Sequence, residues 1–131
     1  MKRFCAAAVL LMLTAALAFA GLDETLDKVD KLNYEREYQE CLNLLDGALS
    51  EADTDKEKAE IYWRKSRALL HIADGKKDAG ASDDELLEMY GRGEEAADKA
   101  IEFDTSIAEA YYWKSSNRSE EHTSELQSLS H

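Results

Sequence analysis

Histidine, cysteine and serine are the side chains on which nucleophilic or metal chemistry would rest, and in this chain each stands alone. Ahead of Arg118 the sole histidine is His71. A zinc site gathers three or four cysteine, histidine or carboxylate ligands at short spacings, and no second histidine or cysteine lies near His71 in the sequence. Ser66, Ser82 and Ser106 lack a histidine–carboxylate pair that would activate a hydroxyl. Gly91-x-Gly93 lies inside a helical pattern with no strand before it, so it is not a phosphate-cradling loop. Asp83-Asp84-Glu85 opens a helical pattern, where negative charge favours the helix dipole. These residues predict no catalytic group, no metal site and no cofactor. What remains is an aromatic set, Tyr62, Trp63, Tyr111, Tyr112 and Trp113, with Arg67 one helical turn beyond Trp63. Tryptophan, tyrosine and arginine dominate binding energy at interfaces, so this set points to contact with a partner rather than to a reaction.

The elements that position these residues all read as helices. Proline is absent, charged residues make up 34% and hydrophobic residues 44% of 131 residues, a length that suits one modest domain. Leu22, Leu26, Val29 and Leu32 mark one face of a first helix, and Tyr38, Cys41, Leu42, Leu45, Ala48 and Leu49 that of a second. Thr54 or Asp55 can cap a third, whose stripe is Ala59, Tyr62, Ser66, Leu69, Leu70 and Ala73. The stretch Gly75–Ala81 (GKKDAGA) predicts a loop, and Ser82 with Glu85 predicts a reciprocal capping box. A fourth helix follows with Leu86, Tyr90, Gly93, Ala97 and Ala100 on one face, and a fifth starts near Ile107. No alternating run is long enough for a strand. Cys41 falls in a small-residue packing slot and is expected to be a buried thiol.

The chain also repeats itself. Ala59–Ser66 (AEIYWRKS) overlays Ala108–Ser115 (AEAYYWKS) at an offset of 49 (108 minus 59), with five of eight positions identical. Self-similarity at such a period is the signature of stacked helical hairpins. The run Ala100-Ile101-Glu102-Phe103-Asp104, a two-residue spacer, then Ile107-Ala108-Glu109-Ala110-Tyr111-Tyr112 resembles the joint between two tetratricopeptide repeats, with Thr105 where proline is usual. Tyr38-x-Glu40-Cys41-Leu42 with Leu45, Ala48 and Leu49 follows the same grammar, the tyrosine starting the second helix of a hairpin, and Tyr90 with Gly93 and Ala97 is its counterpart in the next hairpin. A standard repeat has about 34 residues, so about 15 are inserted here (49 minus 34), between Leu70 and Tyr90.

The resemblance covers roughly residues 22–117 and implies an all-α, tetratricopeptide-like stack of antiparallel hairpins, two complete and a partial third. It also implies that the first helices of the hairpins line a concave face, with Trp63, Arg67, Leu70 and His71 directed into it and Tyr112 and Ser116 joining from the next repeat. A second reading of the aromatics is open at this stage: large side chains filling the space between helices opposite small ones. The function implied is a non-enzymatic scaffold that holds a protein or peptide partner. The alternative is an accessory subunit that binds a small solute for a transporter, as in exported bacterial proteins with degenerate repeats of this kind. A closed apolar cavity near Trp63 would favour the solute, an open trough the partner.

Residues 1–20 have the layout of a secretory signal peptide, an N-terminal signal helix ahead of the domain. Lys2-Arg3 is followed by an apolar stretch from Phe4 to Leu17, then Ala18-Phe19-Ala20 ahead of Gly21. Periplasmic or secreted localisation is the expectation, with membrane contact only if the segment stays uncleaved. Removing Lys2 and Arg3 would take the net charge from −12 to −14, which argues against nucleic acid or anionic lipid as partner. Cleavage would also leave Cys41 without a disulfide partner, so a domain over 21–117 must hold by packing.

Arg118 to Ser128 reads RSEEHTSELQS, which matches one translated frame of a common sequencing-library adapter over eleven residues (118 to 128). The expectation is that 118–131 is a non-native, disordered tail in place of natural sequence, so that His122 and His131 carry no functional weight. Amplifying the locus from source DNA should give a reading frame that departs from this chain at about Arg118; genomic DNA encoding the tail in place would rule that out.

Overall fold

The computed structural model of the chain describes residues 21–130. Five helices account for it: α1 (21–34), α2 (Tyr38–Ala48, followed by a single 3-10 turn at Leu49–Glu51), α3 (Asp55–Asp78), α4 (Asp83–Phe103) and α5 (Ala108–Leu129). Among the described residues there is no strand. The result is the all-α stack of hairpins that the periodicity predicts. The signal-peptide expectation falls on residues 1–20, outside the described residues.

Local chemistry explains where each helix begins and ends. α1 stops at Arg36, which adopts a left-handed φ of 65°. There the amides of Arg36 and Glu37 donate to the carbonyls of Asn33 and Leu32, at 3.1 and 2.9 Å, which satisfies two otherwise orphaned acceptors. α3 opens with a full capping box: Thr54 Oγ1 accepts from the Glu57 amide while Glu57 Oε1 accepts from the Thr54 amide. It closes with the same C-terminal motif as α1, this time on Gly80 at φ 87°, where glycine has no side chain to strain. Before α5, Asp104 Oδ1 accepts from both the amide and the hydroxyl of Ser106, and these bonds hold its carboxyl below the usual carboxylate range.

Two sequence expectations at this end of α3 are corrected. The predicted 75–81 loop is helical as far as Asp78, and only residues 79–82 connect α3 to α4. A glycine inside a helix costs about 1 kcal/mol, and Gly75 meets nothing within 4 Å on its exposed side. Burial of Leu70 and Ala73 against Leu86, Met89 and Tyr90 outweighs that cost, and Lys76 and Lys77 suit a helix C-terminus. The predicted box at Ser82 is half formed: Ser82 Oγ accepts from the Glu85 amide at 3.3 Å, while the Glu85 carboxylate binds Lys76. The extra length of the repeat therefore goes into two long helices, α3 of 24 and α4 of 21 residues.

α3 is the centre of the packing. On one side Ile61, Ala68 and Leu69 meet Leu22, Leu26 and Val29 of α1 and Cys41, Leu42, Leu45 and Ala48 of α2. On the other, Ala59 and Trp63 pack with Ala100, Ile107 and Ala110, and Leu70 and Ala73 with the first half of α4. The predicted α4 face, Leu86, Tyr90, Gly93, Ala97 and Ala100, is buried throughout. Cys41 is buried as expected, its thiol donating to the Val29 carbonyl at 3.3 Å, and burial raises its pKa. Tyr38 does open α2, but Tyr90 lies in the middle of α4, fully buried, so the two tyrosines are not equivalent in place.

The expected disordered tail is the third difference, because α5 runs on to Leu129. Glutamate, leucine and glutamine are strong helix formers, and Asn117 and Ser124, seven residues apart, share the packed face. Lys77 also bridges to Glu120. The contact is nonetheless made by small polar groups: past Ala110 the fully buried residues of α5 are Asn117 and Ser124.

One close approach ties α3, α4 and α5 together. The Ser66 hydroxyl donates to the Gly93 carbonyl at 2.7 Å, and Asn117 Nδ2 donates to Ser66 Oγ at 3.0 Å and to the Trp113 carbonyl at 2.9 Å. A Cβ added to Gly93 would sit 2.1 Å from Asn117 Oδ1. Gly93→Ala should therefore destabilise the fold by about 2 kcal/mol, within the usual cost of overpacking, although alanine is the better helix former. Chemical denaturation checks this; an unchanged or raised midpoint would refute the close contact.

A candidate partner-binding face

Asp30 of α1, Trp63, Arg64 and Arg67 of α3 and Glu60 form a charge-paired knot. Arg64 binds Asp30 with both ends of its fork, Nε to Oδ1 at 3.0 Å and Nη2 to Oδ2 at 2.9 Å, and its Nη1 reaches Glu60 Oε2 at 2.7 Å. Arg67 adds a bond to Asp30 Oδ1 at 2.7 Å. The Trp63 indole donates to Glu60 Oε2 at 2.8 Å, and both guanidiniums lie over its ring, at 4.3 and 5.0 Å from the centroid. Burial alone would raise the Asp30 pKa, but the hydrogen bonds and charges of Arg64 and Arg67 outweigh it and hold the carboxyl below its ordinary value. Burial likewise opposes the charge of Arg64, and Asp30 and Glu60 reverse that and raise its pKa.

These bonds decide how much of the sequence-predicted set is free for a partner. Trp63 is 8% exposed and its N–H is engaged; the Arg67 side chain is 11% exposed. Both act first as the joint between α1 and α3, which fits the reading of large side chains as inter-helix filler. Leu70, Tyr112 and Ser116 are brought together instead: with Asp74 and Ser115 they line an open trough of about 440 Å³ between α3 and α5, closed at one end by Ser119 and Glu120 of the adapter-like stretch, which carry no functional assignment. Trp63 does not border it.

His71 connects the two regions. Its ring stacks on Tyr38 of α2 with centroids 4.6 Å apart, and Trp113 of α5 meets it edge-on at 5.5 Å. Tyr112 in turn meets Trp113 edge-on at 4.8 Å, so four rings from three helices run in sequence toward the trough. Burial lowers the His71 pKa and Arg67 adds to the effect, against the opposing charge of Asp74. Asp74 itself accepts a 2.6 Å bond from the buried Tyr90 hydroxyl, whose pKa is raised by burial and by that bond.

Lysines 49 residues apart (114 minus 65) make similar bridges, although their aspartate partners are 52 apart (98 minus 46) and so do not correspond under the repeat. Lys65 of α3 reaches back to Asp46 of α2 at 2.7 Å, and Lys114 of α5 reaches back to Asp98 of α4 at 2.6 Å. The residues aligned with Trp63 differ in their surroundings: Tyr112 is 64% exposed because α5 has packed neighbours on one flank only, whereas α3 lies between two layers. Tyr38 and Asp30 were absent from the sequence-predicted set. Tyr38 has a signal, its place at the start of α2, but Asp30 is one acid among many on an exposed helical stripe.

A larger depression of about 680 Å³ lies between α4 and α5, lined by Glu94, Ser115 and five residues from Arg118 to Glu125. Those five belong to the adapter-like stretch and carry no functional assignment. Among the described residues no three histidine, cysteine or acidic side chains are grouped to hold a metal, and no helix is long and apolar enough to cross a membrane. No family model, curated protein or solved structure matches the chain.

Because His71 binds its proton less readily folded than unfolded, acid favours unfolding. Its contribution is fully present above the unfolded value of about 6.5 and is lost as pH falls from there through the lower folded pKa. The melting temperature should fall between pH 7 and pH 5 by more in the wild type than in His71→Gln. Parallel curves for the two proteins would show that the imidazole is not desolvated by its aromatic neighbours.

Proposed function

We propose that this chain is an exported, non-enzymatic scaffold of the tetratricopeptide type, which holds a protein or peptide segment in the trough between α3 and α5. The observation that carries the reading is the placement of Leu70, Tyr112 and Ser116 along one open trough backed by the aromatic series Tyr38, His71 and Trp113. A trough with an exposed tyrosine on its rim suits an extended segment, since aromatic side chains give large contact area for little lost freedom. The open shape favours a partner over the alternative, a small solute handled for a transporter, which calls for an enclosure that hides most of its surface. The family reading rests on the residue grammar around Ala100–Tyr112 and on the 49-residue correspondence of Ala59–Ser66 with Ala108–Ser115. Export rests on the layout of residues 1–20, and the non-native origin of 118–131 on its match to adapter sequence.

Expression with the leader intact in a bacterial host should yield an extracytoplasmic protein whose first residue is Gly21 by mass spectrometry. In cross-linking with extracytoplasmic extract of the source cells, Tyr112→Ala and Ser116→Arg should each reduce partner yield several-fold without lowering the melting temperature. A protein kept whole in the cytoplasm would overturn the export reading; partner yields unmoved by both substitutions would overturn the trough.

A further inference from the structure

The opposite side of α3 carries charges that neither the packing nor the trough explains, although the rings beneath them, Tyr62 and Phe103, pack at the edge of the core. By the helical period, Lys58, Tyr62, Lys65 and Leu69 share one face of α3, turned away from Trp63, Arg67, Leu70 and Asp74. There Tyr62 and Phe103 of α4 stack with centroids 5.8 Å apart and planes 14° from parallel. Three ammonium groups crown the two rings: Lys65 and Lys99 lie 5.5 and 5.4 Å from the Tyr62 centroid, and Lys58 lies 5.3 Å from that of Phe103. Arg92 stands about two turns before Lys99 on α4, on the rim of a shallow cleft of about 150 Å³ that Tyr62, Lys65, Leu69, Glu95 and Lys99 also line.

Lys65 is neutralised by Asp46. Among the described residues Lys58, Arg92 and Lys99 form no salt bridge. In a chain with 28 acidic residues against 16 basic ones, two unneutralised lysines on one aromatic platform, with Arg92 along the same cleft, run against the background charge. An aromatic face attracts an ammonium group through its quadrupole without cancelling the charge, so it holds a lysine in place while leaving it able to bind an anion.

We infer that this platform binds an acidic peptide segment of a partner protein, with carboxylates on Lys58, Lys99 and Arg92 and an apolar side chain against Tyr62 and Leu69. The cleft has room for about one side chain. Charge complementarity is local: at physiological salt a ligand senses charge within about 8 Å, so a narrow acidic segment meets Lys58, Lys65, Arg92 and Lys99 against two carboxylates, Asp46 and Glu95, a local excess of positive charge. An anionic membrane is a broad surface and meets the whole chain at a formal −12. The platform is thus a second contact surface, independent of the trough at Tyr112.

The test is fluorescence polarisation of a labelled decapeptide of alternating glutamate and phenylalanine, at low and at physiological salt, with vesicles of phosphatidylglycerol as a parallel ligand. Wild-type protein should bind the peptide, more weakly as salt rises. The double variant Lys58→Gln, Lys99→Gln should bind it roughly fivefold or more weakly, the scale of two exposed ion pairs, with an unchanged melting curve. Tyr112→Ala should bind as the wild type does. The inference fails if no peptide binding is detected up to millimolar concentration, if the folded double variant binds equally well, if a lysine–phenylalanine peptide binds as tightly, or if the vesicles alone are bound.

Discussion

α3 has apolar groups around most of its circumference, and a helix of that kind is stable in water only if it is covered on more than one side. Ile61, Ala68 and Leu69 need the α1–α2 hairpin, while Ala59, Trp63, Leu70 and Ala73 need α4 and the start of α5. The two layers do not complete one another directly; each completes α3. That arrangement sets the positions of the aromatic series and the trough, because their floor is α3 and their walls are the helices that cover it.

Polar contacts add register to this burial. The Ser66 hydroxyl and the Asn117 amide fix α4 and α5 against α3 at the one place where a glycine allows the backbones close. Asp30 with Arg64 and Arg67 does the same between α1 and α3, at a half-exposed site where two guanidiniums share one carboxylate. Buried or half-buried charge contributes little net stability when paired and is costly when one partner is removed. Such pairs act mainly as locating pins for surfaces that apolar contact alone would leave free to slide.

Helix number, the apolar faces, a cap at Thr54 or Asp55 (Thr54 in the structure) and the burial of Cys41 were legible in the sequence because period and local capping depend on near neighbours. The 75–81 segment was misread as a loop because its glycines and lysines describe local preference, and the packing of Leu70 and Ala73 on α4 is a tertiary matter. The trough was legible in part: the spacing that places Leu70 on α3 and Tyr112 and Ser116 on α5 is helical, so their meeting follows from the hairpin stack. Trp63 and Arg67 were legible as a contact pair but not as an internal one, since the carboxylate that occupies Arg67, Asp30, lies 37 residues away (67 minus 30) and on another helix, while Trp63 is engaged by Glu60 and covered by the two guanidiniums. The lysine platform escaped notice because a lysine over a ring is invisible until two helices are set side by side.

The bridges Lys65–Asp46 and Lys114–Asp98 join each odd-numbered helix to the one before it in the same sense. A stack of hairpins joined helix to preceding helix behaves as a one-dimensional array, in which the stability of each unit depends on its immediate neighbours alone. Unfolding in such an array starts at an end and travels inward. α5, whose Tyr112 flank is bare and whose second half is held by serine and asparagine, is the end that would open first, and amide exchange would be graded along the chain from α5 toward the doubly covered α3.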